Sequence, residues 1–341
     1  MDGLFIPRCP SPRGLVTPVP VDPDGWAGPT RGQARGPSWR RVGPGGYVPS
    51  TVVRTVEQRI LEEWHNLPGS VVTGWAACRL WGAAYCDGLA PDGSERPVPL
   101  WVPKGRSVRP RPGRVVVRRA VDAGLVHRGR IDVLVPGAAA VEAAVEEVRR
   151  RGIAETVVLL DMVAAAGAAL PEWISQALDR SPLHHRSSVR AALARCSERS
   201  CSPNETRMRL VWEDLCGLPA PLVNQEVFTP EGRFVARVDL LDPALGLVGE
   251  YDGAAHRTAR RHARDVARES ALRDLGLEVV RVVAGGLTSA TGRAAAATLI
   301  RRGAARARTT GPGSWRLTGT GPRWQSACEG LREQLDPRCG T

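Results

Sequence analysis

The run GLVGEYDGAAHRTARRHARDVARESALRDLGLEVVRV, from Gly246 to Val282, decides the fold. Its apolar approach, LVG, delivers Glu250, Asp252 and His256 within seven residues. Strand side chains alternate between faces, so Val248, Glu250 and Asp252 share one face while Leu247, Gly249 and Tyr251 take the other. The helix that follows places Arg257, Arg261, Arg264 and Arg268 in one basic stripe, opposite Ala259, Ala263, Val266, Ala267 and Leu275. Gly276 stops this helix, and LEVVRVV supplies a buried strand. Strand, helix and strand in that order predict the centre of an α/β domain.

Upstream, Asp239 is embedded in the apolar run VARVDLL, where a lone charge is costly unless paired or metal-bound. The turn DPALG is short enough to bring Asp239 beside Glu250. Further back, Ser202-Pro203-Asn204-Glu205 is a capping box with proline at the first helical position. Glu205 then reads as a helix cap worth about 1 kcal/mol. It also lies on one stripe with Met208, Trp212 and Leu215, at the inner edge of the buried face, and the sequence leaves both roles open. Carboxylates that converge repel one another, and a divalent cation relieves the repulsion. Carboxylate oxygens with a backbone carbonyl suit Mg²⁺, whose remaining positions go to water or phosphate.

The competing reading makes Asp252-Gly253 a turn and pairs Glu250 with an arginine. The order and spacing of the acids together favour the metal. His256 would then carry protons or orient water. The stripe of Arg257, Arg261, Arg264 and Arg268 would hold phosphates.

The whole composition agrees with a nucleic-acid partner. The chain has 341 residues, 43% of them hydrophobic, and a formal net charge of +12. That length suits two domains with real cores, and the charge points to a polyanion. Lys104 is the only lysine, so arginine carries nearly all the positive charge. The eight cysteines include no C-x-x-C pair, which leaves a zinc site unsupported. The first residues, MDGLFIPRCPSPRG, lack the pattern of a secretory signal. The longest apolar run, VVLLDMVAAAGAALP, falls short of the roughly 20 residues of a membrane span. A cytoplasmic protein with reduced thiols and no membrane partner is expected.

Residues 1–28, crowded with proline and glycine, read as disordered. TRGQARGPSWRRVGPGGYVPS gives a short helical pattern and a hairpin with a GPGG turn. Two helices, TVVRTVEQRILEEWHNL and VVTGWAACRLWGAAY, and two β-like runs near 97–103 and 114–119 complete a domain over 29–135. A helical segment and linker span 136–200, a compact α/β domain 201–308, and a flexible tail 309–341.

An early-helix glutamate, then aspartate, then E-x-D-G-x-x-H, a helix of RD-x-x-R-x-x-x-L-x-x-x-G type and V-x-R-V occur in that order. This part of the chain, Ser202 to Arg308, resembles domains related to the very-short-patch-repair endonuclease, in the PD-(D/E)XK, restriction-endonuclease-like group. The resemblance implies a mixed sheet flanked by helices. It implies Asp239 and Glu250 as metal carboxylates, Glu205 as an accessory acid and the Tyr251 carbonyl as a further ligand. It also implies phosphodiester hydrolysis with Mg²⁺ or Mn²⁺. One position departs from the pattern: Asp252 stands where the motif has lysine.

The N-terminal hairpin and VVTGWAACRLWGAA resemble the winged-helix-type region of AbiEi-like antitoxins. Together these features imply an α+β chain with a mainly helical N-terminal domain bearing a β-hairpin wing. The expected function is a Mg²⁺-dependent DNA endonuclease or nickase, in which Asp239, Glu250, Asp252 and His256 carry the chemistry. The alternative is a non-catalytic, antitoxin-like DNA-binding regulator. The missing lysine favours the regulator; the retained acids favour the nuclease.

Overall fold

The computed structural model describes residues 14–118, 124–253, 259–283, 286–318 and 324–335, and for 259–265 the backbone alone. The chain is a mixed α/β protein that divides into two compact units, Met1–Ala194 and Arg195–Thr341.

The first unit opens with the hairpin β1 (Trp39–Gly43) and β2 (Gly46–Pro49), paired antiparallel across a Pro44-Gly45 turn. Helix α1 (Val56–His65) starts later than the apolar spacing predicts, because the Thr55 hydroxyl accepts the Gln58 N–H and fixes the first turn there. The next predicted helix also shortens: Val71–Val72 form strand β3, and only Gly74–Leu80 are helical (α2). Then come β4 (Val98–Trp101), β5 (Arg114–Val117), β6 (Leu125–Arg128) and β7 (Ile131–Leu134). With β3 they build a five-stranded sheet in the order β5-β4-β3-β7-β6. The region expected to be mainly helical thus has a sheet at its centre. Helices α3 (Pro136–Arg151), α4 (Ile153–Ala165), α5 (Pro171–Arg180) and α6 (Arg186–Leu193) pack together and, through α3, on α2, within the same unit.

The second unit begins with α7 (Pro203–Leu210), capped by the Ser202 hydroxyl on the Glu205 N–H, and continues as a π turn through Leu215. The π turn shifts the register, so Met208 and Trp212 are fully buried while Leu215 is exposed. A meander of β8 (Leu222–Phe228), β9 (Phe234–Asp242) and β10 (Leu247–Asp252) follows, then α8 (Ala259–Asp274), β11 (Glu278–Val283) and α9 (Ala290–Thr310). The sheet order is β11-β10-β9-β8, with β10 and β11 parallel and the other pairs antiparallel.

Two apolar layers cover this sheet. Met208, Trp212, Leu240, Leu247 and Val280 pack with α9 on one side, and Val238, Leu241, Val248 and Leu272 pack on the other. Gly249 admits the first layer, since a Cβ there would stand 3.2 Å from the Trp212 ring and 3.5 Å from the Met208 methyl. Helix α8 ends in a Schellman motif: Leu277 N–H reaches Leu272 O at 3.1 Å, Gly276 N–H reaches Arg273 O at 2.8 Å, and Gly276 takes φ +84°.

Both ends of the described chain pack more than expected. Val16 exchanges two 2.9 Å hydrogen bonds with the Gln58 side chain, and Val19 bridges to Tyr47. The segment predicted as a flexible tail pairs Arg316 with Phe228, packs Trp315 and Leu317 on the sheet, and forms helix α10 (Ala327–Leu335). Apolar surface at Trp315 and Leu317 has a sheet to cover, which glycine and proline content concealed. Among the described residues no helix is long and apolar enough to cross a membrane.

Candidate functional site

Strands β9 and β10 pair up to Gly249↔Leu240 and then part. Where the ladder stops, the Asp239 side chain replaces it: Oδ2 accepts the Tyr251 N–H at 2.8 Å. Asp239 is therefore fixed beside the segment that carries Glu250. Glu250 is buried, and its Oε2 is held by the Arg268 guanidinium from α8. Its Oε1 is also buried but has no hydrogen-bond partner. Arg268 anchors its other Nη nitrogen on the Arg237 carbonyl at 3.0 Å. This arginine, expected on a phosphate-facing stripe, is thus folded over the acid.

Glu205 takes a more structural part than a ligand role requires. Its Oε2 accepts the Cys201 N–H at 2.9 Å and the Asn224 amide at 2.7 Å. The same amide nitrogen donates to the Arg199 carbonyl at 2.8 Å, and Asn224 holds a left-handed φ of +48°. Sequence reasoning missed Asn224, because its importance comes from a strand partner and a backbone twist. The Tyr251 hydroxyl accepts from the Asn204 amide at 2.9 Å. Among the described residues no group of three or more His, Cys, Asp or Glu side chains is arranged to hold a metal. What the structure brings together is a pair, Asp239 and Glu250, with Glu205 as a charged neighbour.

The electrostatics follow from that arrangement. Burial, reinforced by the Glu205 charge, pushes Asp239 up to about 6, against the opposing pull of the Tyr251 N–H, Arg268 and Arg237. Burial and then the Asp239 charge push Glu250 up to about 7, against Arg268 and Arg281. Arg281 enters from β11, in register with Glu250. Its guanidinium lies 2.9 Å from Glu269 and 3.9 Å from Asp252. It is a cation near Glu250 that the sequence reading overlooked, and only strand register reveals it. At the other edge the Trp324 ring lies between the guanidinium groups of Arg199 and Arg237, at 5.1 and 4.9 Å. His256 and Arg257 lie outside the described residues, as do the side chains of Arg261 and Arg264.

The protein carboxylates available to a divalent cation here are two, Asp239 and Glu250, the second already paired with Arg268. Mg²⁺ takes one or two protein carboxylates and leaves the rest of its shell to water and phosphate. Two adjoining acids held above their ordinary range, one with a bare buried oxygen, offer that. Comparison with family models, with curated proteins and with solved structures gives no match.

Proposed function

We propose that this protein is a Mg²⁺- or Mn²⁺-dependent DNA endonuclease or nickase whose site is built on Asp239 and Glu250. The observation that carries the reading is the unpartnered, buried Glu250 Oε1 beside a second buried carboxylate. Buried carboxylate oxygens are ordinarily hydrogen-bonded, and here the bare one lies beside a second acid. The bound metal would activate water and stabilise charge on the phosphoryl oxygens.

The chain's own residues set the stage for that chemistry. The Tyr251 N–H orients Asp239 and Arg268 orients Glu250, so both acids are fixed before substrate arrives. Asn224 and the Cys201 N–H hold Glu205 behind them, where its charge favours a cation. Asp252 occupies the motif position of lysine, and Arg281 stands next to it. A guanidinium stays protonated, so Arg281 can stabilise charge but cannot act as a base. The base role is left to His256 or to the metal-bound water. The resemblance to the very-short-patch-repair endonuclease group and the net charge of +12 support DNA as the substrate.

A second reading, a non-catalytic DNA-binding regulator, is favoured by one feature: Arg268 already neutralises Glu250. Supercoiled plasmid, incubated with Mg²⁺, Mn²⁺ or EDTA, separates the two. Metal-dependent nicking that disappears in Asp239→Ala and in Glu250→Ala is the expected result. Preparations that bind DNA and leave it intact with either metal would overturn the nuclease in favour of the regulator.

A further inference from the structure

The first unit carries a concentration of charge that the acid pair does not use. Strands β4 and β5 are parallel neighbours, so the chain must cross over between them, through residues 102–113. Such crossovers usually carry a helix. This one is an extended strap with no helix in it, leading into β5 at the edge of the sheet. From Lys104 to Arg119 the sequence KGRSVRPRPGRVVVRR holds seven basic residues and no acidic one.

The strap is gathered on a single buried acid, Glu63 of α1. Gly113 permits the approach, since a Cβ there would stand 2.3 Å from Glu63 Oε1. Arg114 donates to the Asn66 carbonyl at 3.3 Å and stands 3.9 Å from Glu63 Oε2. Arg111 and Arg54 also act on that carboxylate, and Arg106 and Arg111 both act on Arg114. Arg54 has Glu95 as its partner, which leaves the single Glu63 carboxylate to face Arg111 and Arg114. Arg111 Nη1 and Arg114 Nε are buried without a hydrogen-bond partner, although the Arg114 side chain is only 6% exposed. Arg111 Nη1 is the one buried terminal guanidinium nitrogen left without a partner among the described residues, and it favours an anionic acceptor.

We propose that the 102–113 strap binds the phosphodiester backbone of nucleic acid, with Arg106 and Arg111 as the anchor, the buried Arg114 behind them adding positive charge, and Lys104 and Arg109 as an exposed rim. Guanidinium forks match phosphate oxygens in geometry and stay charged at every relevant pH. The segment has no aromatic side chain and no leucine between Lys104 and Arg119 to insert among lipids, as a membrane-surface element requires. Such a grip is independent of sequence and sensitive to salt. It shares its partner with the proposed nuclease but none of its chemistry, and it stands even if the acid pair never cuts.

The test uses the full chain in EDTA with a labelled DNA duplex, titrated across KCl concentrations. Wild type is expected to bind, with an affinity that falls as salt rises. The triple variant Arg106→Ala/Arg109→Ala/Arg111→Ala should lose at least about tenfold in affinity, and its slope of log K against log salt should flatten by about 2–3, near 0.9 per phosphate contact. Arg109→Glu, a change at an exposed position, should weaken binding in the same direction and keeps the test valid if the triple variant is unfolded. Unchanged affinity and slope in these folded variants would overturn the strap while leaving the nuclease untouched. Anionic lipid vesicles that outcompete DNA at matched phosphate concentration would overturn it in favour of a membrane surface.

Discussion

Each unit buries a glutamate with one oxygen that finds no hydrogen-bond partner: Glu63 in the first, Glu250 in the second. Burial is the leading cause that raises both above the ordinary carboxylate range. Their neighbours differ in sign. Glu63 is acted on by Arg111, Arg114 and Arg54, whereas Glu250 is paired with Arg268 and raised by the charge of a second acid, Asp239. The same residue type at similar depth therefore marks two different needs. Around Glu63 positive charge is in surplus and the missing partner is an anion; around Glu250 negative charge is in surplus and the missing partner is a cation. At Glu63 it is the unpartnered guanidinium nitrogens of Arg111 and Arg114, not the acid's own oxygen, that call for an anion, whereas at Glu250 the bare carboxylate oxygen itself calls for a cation.

The largest effect should come from removing the negative surplus. Asp239 and Glu250 both bind protons more tightly in the folded chain than in the unfolded one, with values of about 6 and about 7. Folding thus takes up protons, and the associated stability is full below about pH 4 and is lost as pH rises through 6 and 7. In EDTA, the double variant Asp239→Asn/Glu250→Gln should be more stable than wild type at pH 8, by an amount on the order of 3 kcal/mol. The two should converge at pH 4. Mg²⁺ should raise the melting temperature of wild type at pH 8 and leave the variant unmoved. Thermal melts across pH, with and without the metal, decide this. A variant less stable than wild type at pH 8 would mean that Arg268 fully satisfies Glu250.

That pair was legible in the sequence because each of its signals is local. An aspartate inside VARVDLL and a glutamate after LVG are anomalies within a few residues, and DPALG ties them together. Ser202 and Glu205 announce the helix start in the same way, through a four-residue pattern. What stayed hidden depends on contacts distant in sequence. The left-handed turn at Asn224 serves Glu205, nineteen positions earlier. Arg281 comes to Glu250 only through the parallel register of β10 and β11. The two-residue strand at Val71–Val72 was absorbed into a helical apolar pattern, since a run that short has no period of its own. Glu63 lay on a helix face like any surface acid until Gly113 closed over it.

The next effect concerns that closure. A methyl group at Gly113 would meet Glu63 Oε1 at 2.3 Å and Cδ at 3.0 Å, so Gly113→Ala must move either the acid or the strap. Overpacking of this kind costs about 1–3 kcal/mol. The loss should appear in denaturant melts together with weaker DNA binding in EDTA, because the guanidinium groups no longer converge. Gly253→Ala, with open space around it, is the matched control in the second unit and should leave stability within about 0.5 kcal/mol of wild type. Equal stability and binding for both variants would mean that Glu63 does not organise the strap.

The smallest effect separates the two glutamates most sharply. Glu63→Gln keeps the side-chain shape but removes the negative charge that faces Arg111 and Arg114. The strap becomes more positive, so its affinity for duplex DNA should rise, by about two- to fivefold at moderate salt, with the gain fading as salt screens it. Glu250→Gln, the same chemical change, should leave that affinity where it was and instead abolish the response to Mg²⁺. Binding titrations at two salt concentrations and melts with Mg²⁺ measure both variants side by side. If Glu63→Gln weakened DNA binding while remaining folded, the acid would be an organiser whose charge the guanidinium groups need for their positions. If Glu250→Gln tightened it to the same extent, nucleic acid would be sensing net charge alone, and the division of labour between an anion-seeking first unit and a cation-seeking second would collapse.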